Sequence, residues 1–153
     1  MSGAGASSIP AAPRGIYHAS CVALSPSAGV LITGPSGSGK STLALALMAL
    51  GATLVSDDQT CLRVDAAHGT LVATAPSTIK GQIEARGMGI LAADTFDQCQ
   101  VRVVVDLSQC EEDRLPLLRK QSVIGVSIPL LYKVDGPQFA PALIQWLKGG
   151  RIA

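Results

Sequence analysis

The stretch GPSGSGKST, Gly34 to Thr42, concentrates more chemistry than any other part of the chain. Gly34, Gly39, Lys40 and Ser41 satisfy the pattern G-x-x-x-x-G-K-[ST] in full. Residues this small let a backbone curl round an anion, with successive N–H groups pointing inward. Gly34, Pro35, Ser36, Gly37, Ser38, Gly39, Lys40, Ser41 and Thr42 are therefore the candidate phosphate cradle. Lys40 is spaced to reach the β- and γ-phosphates of a nucleotide, and the Ser41 hydroxyl to ligate Mg²⁺. A helix beginning near Lys40 adds its positive dipole end.

A phosphate loop does not choose among kinase, ATPase and switch. The choice needs an acid at a strand end, to hold Mg²⁺ or to position the nucleophile. VVVDL offers Asp106, and LVSDD offers Asp57 and Asp58 on the strand after the loop's own helix. Neighbouring strand residues point to opposite sides. One aspartate can then face metal while the other meets a hydroxyl, unless the alternation ends with the strand. The plain alternative for the pair is a solvated turn. YKVD, Tyr132 to Asp135, half resembles a guanine-reading [NT]KxD, but tyrosine holds the first place and no D-x-x-G occurs in the chain. A protein kinase, a small-molecule kinase and a nucleotide-binding switch all remain open at this point. The small-molecule kinase would need an arginine-rich lid, and no such stretch is present.

The elements that must position these residues follow from pattern. IYHASCVAL predicts a first strand over residues 16–24, and GVLIT a short buried strand over 29–33, joined by the turn SPSAG. STLALALMAL is a helix of strong formers, stopped at Gly51. TLVSDD is the next strand, which makes strand–loop–helix–strand a βαβ unit with a right-handed crossover and a parallel sheet region. CLRVDAAHGTLVATAP predicts a hairpin turning at His68 and Gly69, and IEARGMGIL a backbone bend. CQVRVVVDLS is a clear strand, and EEDRLPLLRK a short helical or irregular link broken at Pro116. SVIGVSIPLLYKV is β-like, and PQFAPALIQWLKGG a closing helix. The result is a mixed sheet, with residues 1–14 as a flexible leader and 15–153 as one domain.

Composition bounds the rest. A length of 153 residues suits a single core, and a net charge of +1 without like-charge runs gives no nucleic-acid footprint. The apolar run Leu43–Leu50 is too short to span a bilayer, and the N-terminus has no secretory pattern. Cys21, Cys61, Cys99 and Cys110 form no C-x-x-C pair, so buried free thiols in a reducing cytoplasm are expected. Hydrophobic residues reach 48% against 15% charged, a balance that predicts apolar surface covered in a homo-oligomer.

Taken in order, GVLITGPSGSGKS, LVSDD, IEARGMGI (Ile83 to Ile90) and the acidic DRL of Asp113 to Leu115 resemble the catalytic C-terminal domain of the HPr kinase/phosphorylase family. The segment IEARGMGI is similar to that family's signature I-E-[IAV]-R-G-[LMI]-G-I. The resemblance runs from about His18 to Leu115 and implies an α/β fold: a P-loop-containing mixed β-sheet flanked by helices, HPr kinase/PEP carboxykinase-like. It implies an ATP- and Mg²⁺-dependent kinase acting on a serine of the phosphocarrier HPr, reversible by phosphorolysis, and hexameric. By the same resemblance Asp57 is the general base, and Asp58 assists the metal or orients Asp57. Glu84 is an acidic metal-site residue, Arg86 a stabiliser of transferring phosphate charge, and His18 a histidine near the catalytic aspartate. Asp106 shifts to a structural or edge role.

Two departures accompany it. Longer members carry an N-terminal domain, so the chain reads as a short form of the family. Many members also follow a strand like VSIPLL with a basic P-V-[RK]-P-G-R-N segment. Here that place reads YKVDGPQFAPA, with Lys133 as its one base. Fewer cations offer less to an attacking phosphate, which predicts weakened phosphorolysis.

Overall fold

In the computed structural model, residues 14–153 are described. The leader expected over 1–14 lies outside them except for Arg14, which already opens a strand. The elements run β1 (Arg14–Tyr17), β2 (Ala19–Ala23), β3 (Gly29–Thr33), α1 (Lys40–Ala49), β4 (Thr53–Ser56), β5 (Thr60–Asp65), β6 (Thr70–Thr74), β7 (Gln82–Ala85), β8 (Gly89–Ala92), β9 (Cys99–Cys110), β10 (Arg119–Val123), β11 (Val126–Lys133) and α2 (Phe139–Gly149).

The mixed sheet expected from sequence is present, and β9 is its spine. On one side β9 pairs in parallel with β3; on the other it pairs antiparallel with β6 near its start and in parallel with β11 further along. The main sheet therefore reads β10–β11–β9–β3–β2–β4, and a second arm, β6–β5–β1, leaves from the same spine. The expected βαβ unit is split. β4 runs parallel to β3 but does not touch it, because β2 lies between them and pairs antiparallel with both. The expected first strand also divides at His18. Its first half pairs with β5 and its second half with β3 and β4, so the backbone must change neighbours there.

Two apolar layers cover the main sheet. Val30 and Ile32 face the layer that holds Ala44 and Leu47 of α1 and Leu143, Ile144 and Leu147 of α2. Leu31 faces the opposite layer, with Leu62 and Leu71 from the second arm. This is the period-two alternation of a strand buried on both faces. Fully burying one such leucine contributes roughly 1.5–3 kcal/mol.

In β9 the alternation slips. Val101 belongs to the arm-side layer, while Val103 belongs to the helix-side layer. A register shift between Gly29 and Val30 accounts for this: one extra residue, Arg102, bulges out and re-phases the strand. Gly29 is needed opposite the bulge, since a Cβ there would meet the Cys99 sulfur at 2.5 Å and the Gln100 carbonyl at 2.7 Å. Helix α1 ends as expected at Gly51, whose N–H donates to the Met48 carbonyl with φ 108°. The link after β9 is irregular, and Arg119 and Lys120 at its expected end already belong to β10.

Candidate nucleotide and phosphoryl-transfer site

The loop between β3 and α1 needs its glycines. Gly34, Gly37 and Gly39 have φ of 146°, 82° and 98°, all in the region that side chains avoid. A Cβ on Gly34 would also collide with the Ser38 hydroxyl at 2.6 Å. Lys40 is 6% exposed, and its Nζ donates to the carbonyls of Gly34 (2.9 Å) and Pro35 (3.1 Å). The ammonium is thus held back along the loop, where an anion in the cradle would meet it.

The two aspartates separate sharply. Strand β4 ends at Ser56, and a three-residue turn follows, closed by Gln59 N–H on the Asp57 carbonyl at 2.7 Å. Asp58 sits at its centre with φ 67°, a left-handed conformation that is uncommon outside glycine and that clusters at functional sites. The turn ends the strand alternation, so both carboxylates stay at the same end of the sheet.

Asp57 is 6% exposed and clamped. Its Oδ1 accepts from the Ser41 hydroxyl (2.7 Å) and the Ser20 hydroxyl (2.7 Å), and its Oδ2 from the Glu84 amide (3.0 Å). Asp58 faces outward. Its Oδ1 lies 2.9 Å from His18 Nε2, with both side chains largely solvated, and its amide donates to Ser20 Oγ at 3.2 Å. His18 reaches it because the chain bends there between β1 and β2.

Sequence reasoning missed Ser20. This fully buried hydroxyl in β2 links the two aspartates, accepting from one residue's amide and donating to the other's carboxylate. The available signal was a polar residue inside the otherwise apolar run ASCVA. Its partner could not be inferred while β2 was taken as the second half of one long strand.

Hairpin β7–β8 forms its own two-stranded sheet and carries Glu84 and Arg86 to the loop. Ser36, Gly37, Gly39, Lys40, Ser41, Thr42, Asp58, Glu84 and Arg86 line one cleft of about 190 Å³. Of the other expected residues, Asp57 forms the clamp with cleft-lining Ser41, and His18 joins through Asp58. Ser38 borders a neighbouring cleft with its hydroxyl buried, and Gly34 and Pro35 bind Lys40. Asp106 lies outside. Its Oδ1 accepts from the Ser108 amide (2.9 Å) and hydroxyl (2.6 Å), a local turn role.

The donor chemistry suits Mg²⁺. Ser41 Oγ and Asp57 Oδ1 are hard oxygen donors side by side at the cleft, and Mg²⁺ takes one or two carboxylates and fills its shell with phosphate and water. Among the described residues no three His, Cys, Asp or Glu side chains converge as a closed cage.

Elsewhere, all four cysteines are free, but only Cys21 and Cys99 are buried, with their sulfurs 3.5 Å apart. Hydrogen bonding to Cys99, together with burial, pushes the Cys21 thiol well up. Cys61 is half-buried and Cys110 exposed, because β9 outruns the core at its end. No helix among the described residues is long and apolar enough to cross a membrane.

Comparison with known proteins finds the family model "HPr Serine kinase C-terminal domain" over residues 10–132. The HPr kinase/phosphorylase of Chlorobaculum tepidum is 36% identical over 127 residues, covering 75% of this chain and 37% of that protein. That of Azoarcus sp. is 40% identical over 114 residues, covering 66% of this chain and 36% of its own length. The chain thus spans a little over a third of the length of these two relatives. Among solved structures, the Hpr(Ser) kinase/phosphatase from Coxiella burnetii matches with a TM-score of 0.68 at 27% identity, covering 88% of both chains.

Proposed function

The chain belongs to the HPr serine kinase C-terminal domain family, and from that premise we propose that it is an ATP- and Mg²⁺-dependent protein-serine kinase with HPr as its acceptor. The observation that carries the proposal is the one cleft shared by the phosphate loop, Asp58, Glu84 and Arg86. It offers donor-side and acceptor-side groups within a single opening.

In this reading the loop amides and Lys40 grip the β- and γ-phosphates. Ser41 and Asp57, with Glu84 lining the same cleft, would hold Mg²⁺, which would supply neutralisation of phosphate charge. Arg86 stabilises the charge of the phosphoryl group in transit. The serine oxygen attacks the γ-phosphorus, its proton passes to a carboxylate, and the β–γ bridging oxygen leaves with ADP.

Sequence resemblance assigned that carboxylate to Asp57. The hydrogen bonding supports the reverse division of labour. Asp57 is buried and already accepts three hydrogen bonds, which suits a fixed metal-side anchor. Asp58 is solvated, lines the cleft and is oriented by His18, which suits the general base.

The chain acts in the cytoplasm as a homo-oligomer in this proposal. Four free cysteines suit a reducing compartment, and Leu115, Leu117 and Leu118 are 65%, 85% and 77% exposed on one link, apolar surface for a second copy to cover. Sedimentation of the full chain tests the assembly.

The deciding experiment incubates the protein with γ-labelled ATP, Mg²⁺ and HPr, followed by mass spectrometry. Phosphoserine on HPr is expected. Its absence where Lys40-dependent nucleotide binding is demonstrated overturns the kinase reading and leaves a nucleotide-binding switch. Pyrophosphate release from phospho-HPr and inorganic phosphate tests the reverse reaction separately. The segment 132–142, which begins at the end of β11 and has Lys133 as its one base, supports a weak signal there.

A further inference from the structure

A second cleft starts from the same loop and leads the other way. It has a volume of about 340 Å³ and runs from Ser38, Gly39 and Thr42 along the side of α1 to the segment Lys133–Ala140. It shares Gly39 and Thr42 with the phosphate cleft, so the two openings border the same stretch of the loop.

The topology explains the meeting. β3 and β11 both run parallel to β9, on opposite sides of it, so their carboxyl ends emerge at the same edge of the sheet. That edge is where ligands of parallel sheets bind. The phosphate loop leaves one end and Lys133 to Gly136 leave the other.

The lining has two characters. Leu43 and Ala46 of α1, with Pro137 and Phe139, give the cleft apolar walls. At the mouth, Asp135 is largely solvated, with its Oδ1 3.6 Å from Lys133 Nζ. A carboxylate only accepts hydrogen bonds. It therefore selects for N–H groups on whatever enters.

We propose that this cleft seats the purine base of the donor nucleotide and that Asp135 accepts from the N–H edge of the base. The inference rests on the nucleotide reading above and extends it to the nucleoside. With its phosphates in the loop, a nucleotide must lay its base to one side. The opposite side, toward Asp58, Glu84 and Arg86, belongs to the acceptor. The cleft volume falls within the range of about 300–1,000 Å³ usual for small-molecule sites. In this proposal Asp135 of the Lys133-x-Asp135 pair acquires a role as the reader of the base. Guanine presents adjacent ring and amino N–H donors and adenine an amino group alone, so Asp135 also bears on the choice between them.

The test is calorimetric titration of the full chain with Mg²⁺ and, in turn, ATP, GTP and inorganic tripolyphosphate. At least one of the two nucleotides should bind about tenfold or more tighter than tripolyphosphate, the margin expected of a stacked base. Ala46→Met, which fills the cleft, should erase that margin while leaving tripolyphosphate affinity unchanged, which also reports an intact fold. Asp135→Asn, which adds a donor, should alter the ATP-to-GTP affinity ratio. Equal binding of all three ligands, or a margin that survives Ala46→Met, overturns the base site while the phosphate loop stands. An unchanged ratio in Asp135→Asn removes Asp135 from recognition. If none of the three binds, the nucleotide reading falls with it.

Discussion

Asp57 and Asp58 are covalent neighbours, yet they occupy opposite physical regimes. Asp57 lies in the floor of the site, dry, and held by two hydroxyls and an amide. Asp58 stands on the rim, wet, and held by one histidine. The floor is preorganised and costs no rearrangement when charge appears above it, which is where electrostatic stabilisation is strongest. The rim is accessible, which a group exchanging protons with a protein substrate requires. A three-residue turn at a strand end is enough to divide one repeated residue into both kinds.

The contrast can be broken most severely from the loop. Lys40→Ala should lower phosphoryl transfer about 10³-fold, with nucleotide binding measured alongside, because it removes the one cation held against the loop's own carbonyls. Exchanging the aspartates one at a time sharpens it. Asp58→Asn should lower the transfer rate about 10²–10⁴-fold while thermal melting stays put. Asp57→Ala should lower both, since three donors lose their acceptor, at a stability cost of about 1–3 kcal/mol by denaturant titration. Equal stability loss in the two variants would dissolve the floor-and-rim distinction. Asp58→Gly should relieve the left-handed turn and raise stability by about 1 kcal/mol while transfer is lost. Ser20→Ala should cost about 1 kcal/mol and slow transfer modestly, since it loosens both carboxylates at once.

The smallest effect comes from an ion pair that lines neither of the two clefts and serves as their control. The Arg119 guanidinium beside Glu111 holds that carboxyl below the usual glutamate range. A depressed folded value means the pair stabilises the protein above the ordinary glutamate pKa and ceases to as pH falls through the depressed value. Melting curves of Glu111→Gln and the parent should therefore differ at neutral pH and converge in acid, with transfer activity unaffected.

What could be read from sequence divides along the same line. The phosphate loop, β3, α1 and the aspartate pair are local, and their residue types carry their conformations: glycines for positive φ, leucine and alanine for the helix, valines for β9. The insertion of β2 between β3 and β4 is a non-local pairing that no window of sequence contains. That pairing brings Ser20 to Asp57, and the break at His18 brings His18 to Asp58. The phase change at Arg102 was equally hidden, because VRVVVDL looks regular until Gly29 is set against it. The KxD at Lys133 was visible as letters, but only the parallel arrangement of β3, β9 and β11 shows that it emerges beside the loop.

One bond described above doubles as an instrument. The Glu84 N–H belongs to the β7–β8 hairpin, which forms a sheet of its own, yet it donates to Asp57 across the site. Its nitrogen chemical shift and solvent-exchange rate therefore report the electronic state of a carboxylate that carries no probe. A titration followed at that single amide would read metal arrival, nucleotide arrival and hairpin opening as separate signals from one backbone position.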